Sequence, residues 1–197
     1  MNGILIYKVI RSKRRSIGIE VRNGEVIVRA PMFFSARQID RFVQEHRDWI
    51  EKRLVKTALV QEQAQQQGML TEAELKTLAK EAKKVIPERV SCYAPLIGVT
   101  YGKISIRHQK TRWGSCSSKG NLSFNCLLML TPPEVLDSVV VHELCHRKHM
   151  NHSRQFYAEV LKVYPEYRRW HRWLKVNGPV LLQRAAGPAS KGIDQIL

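Results

Sequence analysis

The segment His142-Glu143-Leu144-Cys145-His146 places two imidazoles four residues apart around a carboxylate. On an α-helix, residues i and i+4 share a face, so both rings can converge on one point beside it. On a strand the same two residues would lie about 13 Å apart and could not share a ligand. The pattern therefore requires a helix with one face at a cleft. Val135, Val139 and Val140 upstream make the other face apolar, so that helix belongs in a core.

The chemistry suited to this spacing is metal chemistry. Zinc takes neutral imidazole nitrogens, and a catalytic site combines three protein ligands with one open position. A carboxylate beside the ion can accept the proton of an activated water. On this reading His142 and His146 are ligands of one zinc ion, and Glu143 is the general base. A closed structural site needs no base and commonly uses four protein ligands.

Three places can supply the third ligand. His149 shares the helical face but lies about 10 Å along the axis from His142 on a straight helix. Glu159 or Glu166, further on, would make a His-His-Glu set. His152 is favoured: Asn151 can adopt the left-handed conformation that ends a helix, which would let His152 fold back.

Around this centre the chain has readable punctuation. Segments 4–10, 16–22 and 25–30 are rich in β-formers, and Asn23-Gly24 between the last two is a hairpin signal. Ser35 with Gln38, and Thr71 with Glu74, are capping boxes. The first predicts a helix that Gly68 stops, and the second a helix that Pro87 kinks or shortens. Segments 103–108 and 121–130 read as strands. Thr131-Pro-Pro-Glu134 predicts a capped start for the motif helix, which then runs to about His149. Helices over about 153–164 and 165–176 follow, closed by Asn177-Gly178. The domain reading is 1–68 (sheet and long helix), 69–180 (catalytic region) and 181–197 (flexible tail).

Between the two later strands lies Lys110–Ser118. There Arg112 is a candidate contact for an anion or an oxyanion, and Trp113 and Gly114 shape the cleft wall or serve packing and a turn. His108, His149, Tyr157 and His171 are weaker candidates for stabilising charge.

Thirty-three Lys and Arg against 17 acidic residues give a formal charge of +16, which favours polyanionic or acidic partners. Only Arg168–Lys175 is dense in basic residues, interleaved with Trp170 and Trp173, so nucleic acid is a possible partner of the basic surface. Four cysteines without a Cys-x-x-Cys pair read as reduced thiols. With no secretion signal and no apolar run of the ~18 residues a span needs, the expectation is a cytoplasmic protein without a membrane partner.

These residues carry a resemblance. His142–His146 followed by Asn151-His152-Ser153 and Phe156, and preceded by Arg112–Ser117, resembles the YgjP-like family of metal-dependent hydrolases. Arg15-Ser-Ile, Val-Arg-Ala-Pro31 and His46–Ile50 extend the likeness towards the N-terminus. The resemblance implies three histidine ligands and a zincin-like metallopeptidase core, in which an exposed edge strand, 103–108 or 121–130, lines the cleft for strand addition by a peptide. Together with the residue reading, the expected fold is α+β, with a small N-terminal antiparallel sheet and long helices. The expected function is a zinc-dependent hydrolase acting on peptide or protein. The alternatives are a nucleoside triphosphate pyrophosphatase, on UTP for instance, and a nucleic-acid-binding protein with a structural metal.

Overall fold

A computed structural model describes residues 5–186, and the chain divides into two compact units at Gln63/Ala64. In the first unit, β1 (Lys8–Ser12), β2 (Gly18–Arg22) and β3 (Glu25–Pro31) form a sheet of order β1-β3-β2. The β2–β3 hairpin is antiparallel as expected, with Asn23 (φ 52°) and Gly24 (φ 83°) in the left-handed region its turn requires. β1 pairs with β3 in parallel, so the sheet is mixed rather than wholly antiparallel. That pairing covers both edges of β3, the strand whose Val26, Val28 and Ala30 are buried. Helix α1 (Ala36–Glu45) lays Ile39 and Val43 on them, together with Ile50 of α2 (Arg47–Gln66).

The α1 capping box forms: Gln38 N–H donates to Ser35 Oγ at 3.2 Å, and Ser35 N–H to Gln38 Oε1 at 2.8 Å. The single helix expected up to Gly68 is broken at His46, whose backbone (φ −107°, ψ 12°) leaves the helical region.

In the second unit, α3 (Glu72–Ile97) starts at the Thr71–Glu74 capping box and ends on left-handed Gly98. It passes Pro87 and Pro95 without stopping. Leu75, Ala79, Ala82, Ile86, Val90, Ala94 and Ile97 recur every three or four residues and are all buried. Fully burying a large aliphatic side chain contributes about 1.5–3 kcal/mol, so together they offset the ~3 kcal/mol or more that an interior proline costs.

A second sheet follows, with β4 (Ile104–Arg107), β5 (Gly114–Cys116) and β6 (Leu122–Asn125) in the order β4-β6-β5. β5 lies within the Lys110–Ser118 segment, where no strand is expected, and pairs antiparallel with β6. The strand expected to reach Leu130 stops at Asn125, and Cys126–Leu130 is a 3₁₀ turn. Helix α4 (Pro133–Cys145) carries the motif and is buried nearly all round. Its N-cap is Pro132, not Thr131, because the Thr131 hydroxyl donates back to the Leu128 carbonyl at 2.8 Å. Buried Asp137 on this helix is held by Arg89 Nε at 2.6 Å and Tyr93 Oη at 3.0 Å, as a carboxylate out of water requires.

Helices α5 (Arg154–Val163) and α6 (Tyr167–Arg184) complete the unit. The stop expected at Asn177-Gly178 does not occur. Gly178 lies against the Trp113 indole, where an added Cβ would come within 3.0 Å. Beyond it, Val180, Leu181 and Ala185 are buried, the last beside Leu70, Leu75 and Leu127. Apolar burial thus carries the helix through Pro179, and the tail expected from 181 does not begin there. The rest of that tail, 187–197, lies outside the described residues. No described helix is long and apolar enough to cross a membrane.

Candidate metal centre

Helix α4 ends four residues earlier than its spacing suggests, at Cys145, with His146 as C-cap. A tight turn follows: Arg147 N–H donates to Leu144 O at 2.9 Å, and Lys148 and His149 N–H to Cys145 O at 3.0 and 3.1 Å. Asn151 is not left-handed; among the described residues Asn23 is the one non-glycine at positive φ. The reversal is made by the turn itself, and Ser153 then caps α5 by accepting from Phe156 N–H at 3.3 Å. His152, one residue before that cap, is thereby returned to the motif.

The outcome is a cluster of three imidazoles. One ring nitrogen from each of His142, His146 and His152 lies within 4.8 Å of the others, and the Nε2 atoms of His142 and His152 are 3.1 Å apart. Tetrahedral zinc with bonds of ~2.0–2.1 Å places its nitrogens about 3.3 Å apart, so the set suits one ion after small side-chain rotations. The opposite ring nitrogens are already engaged. His142 Nδ1 is 2.8 Å from Tyr167 Oη, and His146 Nδ1 is 3.0 Å from the His149 carbonyl. A metal-ligating histidine needs such a partner, which fixes the tautomer with its Nε2 lone pair free.

Phe156 floors the cluster, its ring centroid 4.6–5.0 Å from all three imidazoles. Burial, then the neighbouring rings of His146, His152 and His171, push His142 down to about 3. His146 is lowered too, chiefly by burial. Both are therefore neutral donors at physiological pH.

Glu143 lies beside the cluster, buried, with its carboxyl pushed up to about 8 by desolvation and drawn back only in part by the charge of Arg112. It packs against β5 at Gly114. A Cβ on that residue would stand 2.6 Å from Glu143 Oε1 and 2.7 Å from its Cγ, so only glycine lets the carboxylate occupy this place. A cavity of about 210 Å³ opens here, with Arg112, Trp113, Gly114, His142, Glu143, Tyr167 and His171 in its wall. The loop before β5 is pinned by buried Asn125, whose amide donates to the carbonyls of Gln109 at 2.7 Å and Arg112 at 2.9 Å.

The alternative ligands go elsewhere. Glu159 accepts from Lys148 Nζ at 2.6 Å, and Glu166 from Trp170 Nε1 at 3.3 Å. His149 contributes only its carbonyl. Trp113 reaches the cavity with one edge while packing on Gly178. The cleft edge is neither expected strand, since β6 is central and β4 lies on the far side of it; the edge beside Glu143 is β5. Tyr167 and Asn125 were not singled out by the sequence reading. Nothing local marks them, because their partners lie 25, 13 and 16 residues away.

The YgjP-like metallopeptidase domain matches residues 15–76 and 59–177. The chain belongs to the YgjP-like family. It is accordingly a metal-dependent, peptidase-like hydrolase. No curated protein matches it. Two solved structures are similar over part of it. The metallopeptidase zymogen of Pyrococcus abyssi abylysin has 24% identity over 47% of this chain and 94% of its own, with a TM-score of 0.43. The metallopeptidase zymogen of Methanocaldococcus jannaschii jannalysin has 23% identity over 48% and 96%, with a TM-score of 0.41.

Proposed function

We propose that the protein is a zinc peptidase in which His142, His146 and His152 hold one ion and Glu143 is the general base. The observation that carries this reading is the convergence of three imidazoles beside a buried carboxylate, at a cavity bordered by an edge strand. When bound, zinc supplies a Lewis acid that activates water and polarises the scissile carbonyl.

The protein's own groups account for the rest. An extended peptide pairs along the outer edge of β5, which brings its carbonyl past Gly114. Glu143 takes the proton of the attacking water and passes it to the leaving amine. Burial raises this carboxyl in the metal-free protein, and a cation held by the histidines would draw it back towards the charged form that accepts the proton. Arg112 offers positive charge to the oxyanion as it develops. Tyr167 and the His149 carbonyl hold the His142 and His146 rings in the donor tautomer.

Nucleoside triphosphates are the competing substrates, favoured by the +16 charge and by Arg112 at the cavity. Zinc-loaded protein should be assayed in parallel on unfolded protein and on nucleoside triphosphates, with Glu143→Gln beside it. The expected result is peptide hydrolysis that falls ~10²–10⁴-fold in the variant while zinc content stays at about one per chain. Glu143-dependent triphosphate hydrolysis without proteolysis overturns the peptidase reading. A fully active variant overturns the mechanism for either substrate.

A further inference from the structure

Tyr167 and His171 form a wall between the metal-site cavity and a second depression of about 400 Å³. Its other lining residues are Tyr157, Arg168, Arg172 and Lys175. Arg168, Arg172 and Lys175 stand four and three residues apart on α6, so they present one exposed stripe. None of the three makes an ion pair among the described residues. Nearby cations are engaged: Arg169 with Glu166, Lys148 with Glu159, and Arg147 with the carbonyls of Thr100 and Ser118. Like charges one turn apart repel, so the stripe is arranged for an anion supplied from outside.

The depression lies within one side chain's reach of the metal centre. Tyr167 Oη is 2.8 Å from His142 Nδ1, and the Tyr157 ring is 6.2 Å from that of His152. Successive residues of an extended peptide are about 3.3 Å apart, so a residue next to the scissile bond, or one beyond it, falls here. Building on the peptidase reading, we propose that this depression is a substrate subsite for a peptide carboxylate, either an acidic side chain or the chain's C-terminus, held by Arg168, Arg172 and Lys175. The enzyme therefore prefers bonds flanked by a carboxylate.

A single nucleic-acid strand fits this surface less well. Such binding combines a basic track with a run of free aromatic faces on which successive bases stack. Here Trp170 and Trp173 are turned inward against the core, Tyr167 is buried and stacked between His142 and His171, and Tyr157 is the one exposed aromatic side chain lining the depression.

The test is binding of labelled peptides to zinc-loaded Glu143→Gln protein by fluorescence anisotropy, alongside cleavage of the same peptides by the unaltered enzyme. Matched peptides carry Glu or Gln at each position, with free or amidated C-termini, which separates the two carboxylate sources. The carboxylate form should bind about tenfold more tightly, since two partly exposed charge-assisted contacts are gained, and added salt should shrink the ratio. Arg168→Gln with Arg172→Gln should bring that ratio close to one, with zinc content and circular dichroism showing an intact fold. Equal binding of charged and neutral peptides overturns the subsite. So does a preference that survives the double variant, or displacement of the acidic peptide by a lower concentration of single-stranded oligonucleotide. Preferential binding that follows the arginines, with no peptide cleaved by the unaltered enzyme, supports the subsite and removes the peptidase reading instead.

Discussion

The two sides of the metal-site cavity are built in different ways. The side carrying the histidines comes from one short stretch, His142 to Phe156, in which a helix end, a tight turn and a capped helix start bring three rings together. The opposite side is assembled from Arg112, Gly114, Tyr167 and His171, residues that meet only because β5 pairs with β6 and α6 packs on α4. Local chain geometry makes the first side, and long-range packing makes the second. Metal affinity should therefore follow the first side, and turnover should depend on both.

The largest effect that tests this contrast is loss of a proposed ligand. His146→Ala and His142→Ala should abolish zinc binding, and His152→Ala should weaken it by orders of magnitude in a competition titration. Glu159→Ala and His149→Ala should leave affinity unchanged, because one pairs with Lys148 and the other contributes only backbone. If Glu159→Ala were the damaging change, the first side would not be the metal-binding one.

Gly114→Ala addresses the second side. The added methyl meets the Glu143 carboxylate, so the base must shift by an ångström or so, a displacement that can cost ~10²-fold in rate. Zinc content should not change. Unaltered kcat together with an unshifted Glu143 in a crystal structure would show that the contact is not restrictive.

Tyr167→Phe links the two sides by a single hydroxyl. Losing the outer partner of a ligating histidine typically costs 10–100-fold in metal affinity or activity. The expected change is a modest rise in zinc dissociation constant, and no change would mean that water replaces the hydroxyl fully.

The smallest effect is a pH dependence of stability in the metal-free protein. Glu143 stays protonated in the fold up to about 8, whereas in the unfolded chain it ionises near 4.5. Between those values the native state binds the extra proton, so stability falls as pH rises. His142 acts oppositely: neutral in the fold above about 3 and protonated when unfolded below about 6.5, it makes stability rise with pH across that window. The two slopes oppose each other from about 4.5 to 6.5, and only the Glu143 slope remains up to 8. Melting temperatures of chelator-treated protein should decline over pH 6.5–8, and Glu143→Gln should remove that decline.

The contrast also explains what could be read in advance. Both capping boxes, the Asn23-Gly24 turn and the Gly68 stop rely on residues whose backbone preferences act within three or four positions. That His152 lies near His142 and His146 is legible in a short stretch of chain, although the reversal uses the 146–149 turn rather than a left-handed Asn151. β5 was out of reach: Gly-Ser-Cys has little strand propensity, and its three residues are extended because β6 offers them partners. Pro87 reads locally as an interruption, yet it, Pro95 and Pro179 each lie inside a helix whose buried stripe continues past the proline.

By itself, the sequence determined that a helix must bring His142 and His146 to one point, that a carboxylate stands between them, and that the chain is strongly basic. Those features rest on covalent spacing and charge, which no packing can alter. Tertiary structure alone decided that Gly114 makes room for Glu143, that Tyr167 meets His142, and that the unpaired cations of α6 line a depression next to the metal-site cavity. Each of these depends on atoms many residues apart being forced into contact by the burial of apolar surface, a cooperative effect of the whole core that short-range preferences do not encode.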